Sequence, residues 1–217
     1  MNKLFFKSGF AVRRQAILFL CFLPFLMAGC QQVGRGRRVE KMQHRLESGA
    51  AAERIEVLKR IRRNPPANLR PALEYILAED SRHHVARSLA AEALGNLGDP
   101  NSTERLRRAL ERDIDRLVRK KALIALVDIH GEAAEEDLSY AVKKDPAPLV
   151  RITALDLAVL NLEQRESLGL LKEAVDDQAE VVRLAAYDHL RDLTDLDLPP
   201  DARTRWREEL GILMEGL

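Results

Sequence analysis

The side chains that most often carry chemistry are sparse in this chain and poorly placed for it. Its histidines are His44, His83, His84, His130 and His189. His83 and His84 are neighbours, and adjacent positions on a helix do not share a face, so the two cannot grip one ion from the same side. The only cysteines, Cys21 and Cys30, lie in the first 30 residues. The body of the chain therefore has no thiol nucleophile, no thiolate metal ligand and no disulfide. Glu132, Glu135, Glu136 and Asp137 form an acidic cluster. At a helix start, that cluster is explained by the positive end of the helix dipole. No glycine-rich phosphate loop follows a strand pattern, and the serines show no Ser-His-Asp arrangement. These residues lead to the expectation of no catalytic residue, no metal site and no cofactor.

What does recur at fixed spacing is structural. Arg87, Arg119, Arg151 and Arg183 stand 32 residues apart. Ala86, Val118, Val150 and Val182 precede them, and Ala90, Ala122, Ala154 and Ala186 follow three positions later. Leu106, Leu138 and Leu170 keep the same period, as do Asp113, Asp145 and Asp177. A fixed period with matched apolar positions is the signature of a repeat array. Charged residues at 32% and aromatics at 5% suit stacked amphipathic helices rather than a β-rich fold. Apolar spacings of three and four predict a lead-in helix over 39–46, a helix over 50–63 ended by Asn64-Pro65-Pro66, and then helix pairs to about residue 195. Gly95 and Gly98-Asp99-Pro100 are read as closing the helix that starts at His84. A last helix carries Trp206, Leu210, Leu213 and Leu217 on its inner face and caps the array.

Ahead of the array lies an address. Lys3, Lys7, Arg13 and Arg14 form a basic start, Ala16–Met27 is apolar, and Ala28-Gly29 are small. This is an export-signal pattern, and the apolar run is short for a membrane span. Without its first 29 residues the chain has 31 Lys and Arg against 34 Asp and Glu. That mildly acidic body argues against nucleic acid as a partner.

Two family resemblances follow from these residues. Leu26-Met27-Ala28-Gly29-Cys30 resembles the bacterial lipobox, with Met27 in place of the usual Leu. The resemblance implies cleavage before Cys30 and acylation of that residue. Multiple chains give stable anchoring where one gives only marginal binding. Gln31, rather than Asp, implies the outer membrane, facing the periplasm, in a cell with two membranes. Asp113…Val118-Arg119…Ala122…Leu126 and its copies resemble the HEAT repeat, and the short period with Leu97-Gly98-Asp99-Pro100 looks most like the phycobilisome-lyase type. Ankyrin and TPR repeats have nearby periods, but their turn and aromatic signatures are missing. The resemblance implies an all-α, right-handed α-solenoid of four to five helical hairpins. The expected division is a signal over 1–29, a flexible tether over 30–38 and a HEAT-like array over 39–217. His130-Gly131-Glu132 superficially resembles the His-Glu pairs of the iron-binding HEAT-like hydroxylase. That family places the two residues side by side in several repeats, whereas here Gly131 intervenes and nothing repeats.

The Arg and Asp columns are read as a structural ladder joining Arg87, Arg119, Arg151 and Arg183 to Asp113, Asp145 and Asp177 or to turn carbonyls. Beside the buried face, Leu123, Ile152, Leu155, Leu184 and Tyr187 are expected to form an apolar strip for a protein partner. Tight stacking of neighbouring helices would bury them instead. The expectation is a non-catalytic, lipid-anchored interaction scaffold at the bacterial envelope, held to the membrane by acyl chains on Cys30. The alternatives are an envelope enzyme built on the solenoid, for which converging histidine and carboxylates would speak, or a factor binding periplasmic peptide or cell-wall polymer.

Overall fold

The computed structural model describes residues 36–79, 83–194, 196, 198–199 and 202–217. Contacts divide the chain into Met1–His44 and Arg45–Leu217. The signal segment, Cys30 and the turn at Asp80-Ser81 lie outside the described residues. Helix α1 spans 36–48, so residues 36–38, the end of the expected tether, are helical. No strand occurs among the described residues.

The second unit is an all-α solenoid. Helix α2 (Ala51–Ile61) is followed by four hairpins: α3 (Arg70–Glu79) with α4 (His84–Leu97), α5 (Thr103–Arg112) with α6 (Arg116–His130), α7 (Glu135–Lys144) with α8 (Pro148–Asn161), and α9 (Gln164–Ala174) with α10 (Glu180–Thr194). Helix α11 (Arg203–Glu215) closes the array against α9. The second helix of each pair packs on the second helix of the next. These helices approach one another more closely than the first helices do, so they form the inner layer.

The sequence marks most helix ends. Gly98 takes φ 68° beyond α4, and its N–H bonds Leu94 and Gly95 carbonyls. Left-handed backbone of this kind favours glycine. The Asp99 side chain then accepts from Asn101 N–H, and Pro100 opens a short 3₁₀ turn over Pro100–Ser102. Asp115 caps α6 by accepting from Leu117 and Val118 N–H. Gly95 does not close α4. It lies buried within the helix, where a Cβ would sit 2.7 Å from Ala125 Cα of α6. Its missing side chain lets the two inner helices touch.

The core is the set of repeat columns. Ala90, Ala122, Ala154 and Ala186 are fully buried, as are Ala86, Val118, Val150 and Val182. Small residues at the first set of positions allow close helix approach, and the branched or small residues at the second fill the space beside it. At the far end Trp206 and Leu210 are buried, but Leu213 and Leu217 are exposed. The inner face of α11 is therefore narrower than its apolar spacing predicts.

Candidate functional site on the inner layer

The arginine column bridges successive units. Arg87 Nε and Nη2 donate to Asp113 at 2.6 and 2.8 Å. Arg119 makes the same fork to Asp145 at 2.7 and 3.0 Å, and Arg151 to Asp177 at 2.7 and 2.8 Å. Each pair joins residues 26 apart, from one unit to the turn of the next. Arg119 and Arg151 also donate through Nη1 to the carbonyls of Asp113 and Asp145 in their own turns. Each of the three Asp side chains accepts a backbone N–H two residues on, at Asp115, Ala147 and Ala179. Among the described residues Arg183 donates to carbonyls alone, those of Asp177 and Gln178. The hydrogen bonds that Arg119 donates to Asp145 raise its guanidinium pKa although burial opposes them. With its donors occupied, this column offers little to a ligand.

The expected partner strip does not form as a surface. Leu123 and Leu155 are fully buried, and Tyr187 is 2% exposed. The Tyr187 hydroxyl donates to the Val175 carbonyl at 3.2 Å, and its ring meets Trp206 at 5.9 Å between centroids. Ile152 is half-buried and Leu184 exposed. Stacking of the inner helices hides what the spacing alone would leave open.

The inner layer instead brings together polar groups that the sequence reading left apart. His189 on α10 lies 2.9 Å, Nε2 to Oδ1, from Asp156 on α8. Asp188 occupies the position one period after Asp156 and lies 3.6 Å from the Arg191 guanidinium, and Asp192 follows one turn later on α10; both are exposed. In the tautomer that donates from Nε2 to this carboxylate, Nδ1 is left as an acceptor. The arrangement can take a proton from, or hydrogen-bond, a cationic group seated by the neighbouring carboxylates. The signal was present in the numbering: His189 stands 33 residues after Asp156, one period plus one step.

Toward the other end, Glu92 bonds Arg62, and Lys121 Nζ lies 3.1 Å from the same carboxylate. Burial pushes the Glu92 carboxyl up, but hydrogen bonds and charge from Lys121 and Arg62 outweigh it and hold it below its usual range. Asp128, whose carboxylate lies over Gly95, has its pKa raised by burial, with Lys121 opposing.

His130 of the His130-Gly131-Glu132 segment sits 2.7 Å, Nε2 to Oγ1, from Thr103. Among the described residues no three His, Cys, Asp or Glu side chains gather as metal ligands. The donors present there do not fit an iron centre.

A family model for HEAT repeats matches residues 39–127. Over 131 residues the chain is 32% identical to the deoxyhypusine hydroxylase of Candida glabrata, covering 57% of this chain and 38% of that protein. The proteins of the same name from Candida albicans and Kluyveromyces lactis are 29% and 30% identical over the same length. The chain thus spans 38% of the length of these relatives. The similarity overturns the expectation of a non-catalytic scaffold, because the proteins that this chain resembles across those residues are enzymes by name.

Proposed function

Taking as premise that the chain is a HEAT-like repeat protein, we propose that it is an enzyme built on the solenoid, acting on a basic side chain presented by another protein. The observation that carries this reading is the His189–Asp156 pair on the inner layer, on a helix that also carries the exposed carboxylates Asp188 and Asp192. In this reading Asp192, three residues from His189 and on its face of α10, seats the cationic group, Asp188 supports it from the flank once drawn off Arg191, and His189 Nδ1 is the acceptor left by the Asp156 contact. The name of the three relatives supplies the substrate class: a protein carrying deoxyhypusine, with hydroxylation as the reaction. No oxidation step is derived, since the described residues do not supply the ligands for an iron centre.

The address completes the proposal. Residues 1–29 act as a cleaved signal, Cys30 carries the acyl chains, and the residues after it link the array to the bacterial envelope, in a two-membrane cell to the outer membrane. The 32-residue period and the Leu97-Gly98-Asp99-Pro100 turn support assigning the repeats to the phycobilisome-lyase type. Replacing Cys30 by Ser should move the protein from the membrane pellet to the soluble fraction and abolish labelling by radioactive palmitate. Retention in the pellet would refute the anchor.

The enzymatic reading is tested by anisotropy with a fluorescein-labelled lysine-rich peptide. Preferential binding over an acidic peptide is expected, weakened about fivefold by Asp188→Asn with Asp192→Asn, as suits two exposed charge contacts. Incubation of the full chain with a deoxyhypusine-bearing peptide, dioxygen, ferrous iron and ascorbate, the ascorbate supplying the two electrons that carry the second oxygen atom to water, followed by mass spectrometry, then looks for the gain of one oxygen atom. His189→Gln should suppress that gain while leaving peptide affinity nearly intact. Loss of the basic-peptide preference would sink the binding assignment, and an unchanged peptide mass would sink the proposed reaction.

A further inference from the structure

On the outer layer, a groove of about 380 Å³ runs between the C-terminal end of α3 and helix α5. Its apolar part comes from Leu77, Ala78, Ala109 and Ile114. Ile114 is 87% exposed, an aliphatic side chain with no cover. Arg105, Arg108 and Arg112 line the α5 side. Their spacing of three and four places them along one ridge of the helix. Arg108 is held by Glu104 at 2.9 Å. Neither Arg105 nor Arg112 has an ion pair among the described residues, and both are exposed.

This charge is not demanded by the repeat. One period after Arg105, Arg108 and Arg112 stand Asp137, Tyr140 and Lys144; two periods after them stand Gly169, Lys172 and Asp176. Ile114 corresponds to Pro146 and Gln178. Both grooves include a ladder pair, Arg87–Asp113 here and Arg151–Asp177 in the comparable groove near α7 and α9; that second groove is otherwise lined by Lys143 and Lys144 but also by Asp145, Glu173 and Asp176. The scaffold thus builds the groove more than once and arms it with three arginines at a single place. Columns shared by every unit are explained by stacking; a departure confined to one unit needs another cause.

We propose that this groove binds an acidic peptide segment containing an aliphatic residue. Guanidinium forks match carboxylates in a bidentate way. The apolar floor takes one aliphatic side chain, while carboxylates on either side meet Arg105 and Arg112. A flat anionic bilayer would reach the arginine tips and leave the floor unused, which favours a peptide over a lipid surface.

The probe is a fluorescein-labelled peptide Glu-Asp-Leu-Glu-Asp, titrated with the full chain and followed by anisotropy. Saturable binding is expected. It should weaken about tenfold or more in the Arg105→Glu, Arg112→Glu double variant and stay unchanged in Lys144→Glu, placed in the comparable groove. Replacing Leu by Ser in the peptide should also weaken it. Circular dichroism melting shows whether the double variant is folded, and Arg105→Gln with Arg112→Gln gives a milder second pair. Binding of the lysine-rich peptide should be untouched in both, which separates failure here from failure of the inner-layer reading. Equal affinity in wild type and both variants overturns the proposal. So does binding to phosphatidylglycerol vesicles with none to the peptide, or sedimentation showing that self-association occupies the groove.

Discussion

Each ladder aspartate holds two things at once, the guanidinium of the preceding unit and its own turn. Asp145 takes the Arg119 fork while accepting Ala147 N–H, and its side chain is 1% exposed against 8% for Arg119. Removing one member of a buried pair leaves the other charge desolvated, at a cost of about 3–5 kcal/mol. Asp145→Ala should therefore lower unfolding free energy by that order, measured by urea denaturation. Arg183→Ala should cost far less, because that arginine is partly exposed and, among the described residues, donates to carbonyls alone. Asp128 works in the opposite sense. Its folded-state pKa is raised by burial, so its favourable contribution is complete below the unfolded value, about 3.9, and is lost as pH rises through the folded one. Because the side chain is nonetheless exposed and screened by water, Asp128→Asn should raise the melting temperature only slightly at pH 7 and give no advantage at pH 3. The ladder was legible because both partners repeat at one period. Asp128 was not, because its environment depends on Gly95 of another helix, and nothing in the local sequence announces that neighbour.

At the scale of helices, apolar spacing located the hairpins well, while the reasons for particular residues came from contacts between them. His84–Leu97 was legible to the residue, since Gly98 and Pro100 mark its end. Gly95 has two sequence-level readings, terminator or close contact, and only the packing of α4 on α6 separates them. A methyl there would meet Ala125 backbone and Cβ at 2.7 and 2.8 Å, atoms that cannot rotate aside. Overpacking of this kind costs about 1–3 kcal/mol. Gly95→Ala should therefore destabilise the fold by that amount in urea denaturation, although alanine is the better helix former. The same cause explains the failed apolar strip. Position on a helix says which residues share a face, but the separation of neighbouring helices decides whether Leu123, Leu155 and Tyr187 on that face meet water. The narrow inner side of α11 is the converse case, where Leu213 lies beyond the reach of the last hairpin and stays exposed.

Over the whole array the charges are segregated. Residues 45–127 carry 17 Lys and Arg against 12 Asp and Glu, and residues 128–217 carry 10 against 21. The mild net charge of the chain conceals a basic first half and an acidic second half. The arginine groove falls in the first, and the His189–Asp156 pair in the second. Stacked helices lie about 8–10 Å apart, so two to three layers separate the sites by roughly 20–30 Å. At 0.15 M salt the screening length is about 8 Å, and at 0.01 M it is about 30 Å. The two sites should therefore be independent near physiological salt. There, Arg105→Glu with Arg112→Glu leaves lysine-peptide affinity unchanged, and Asp188→Asn with Asp192→Asn leaves acidic-peptide affinity unchanged. At 0.01 M salt each pair should begin to affect the distant site through the field, the loss of acids tightening the acidic peptide and the loss of arginines tightening the basic one. Anisotropy titrations of both peptides against both variants at the two salt concentrations measure all four effects. Cross-effects that persist undiminished at 0.15 M would mean that the sites communicate through the packed helices, since a screened field cannot span that distance.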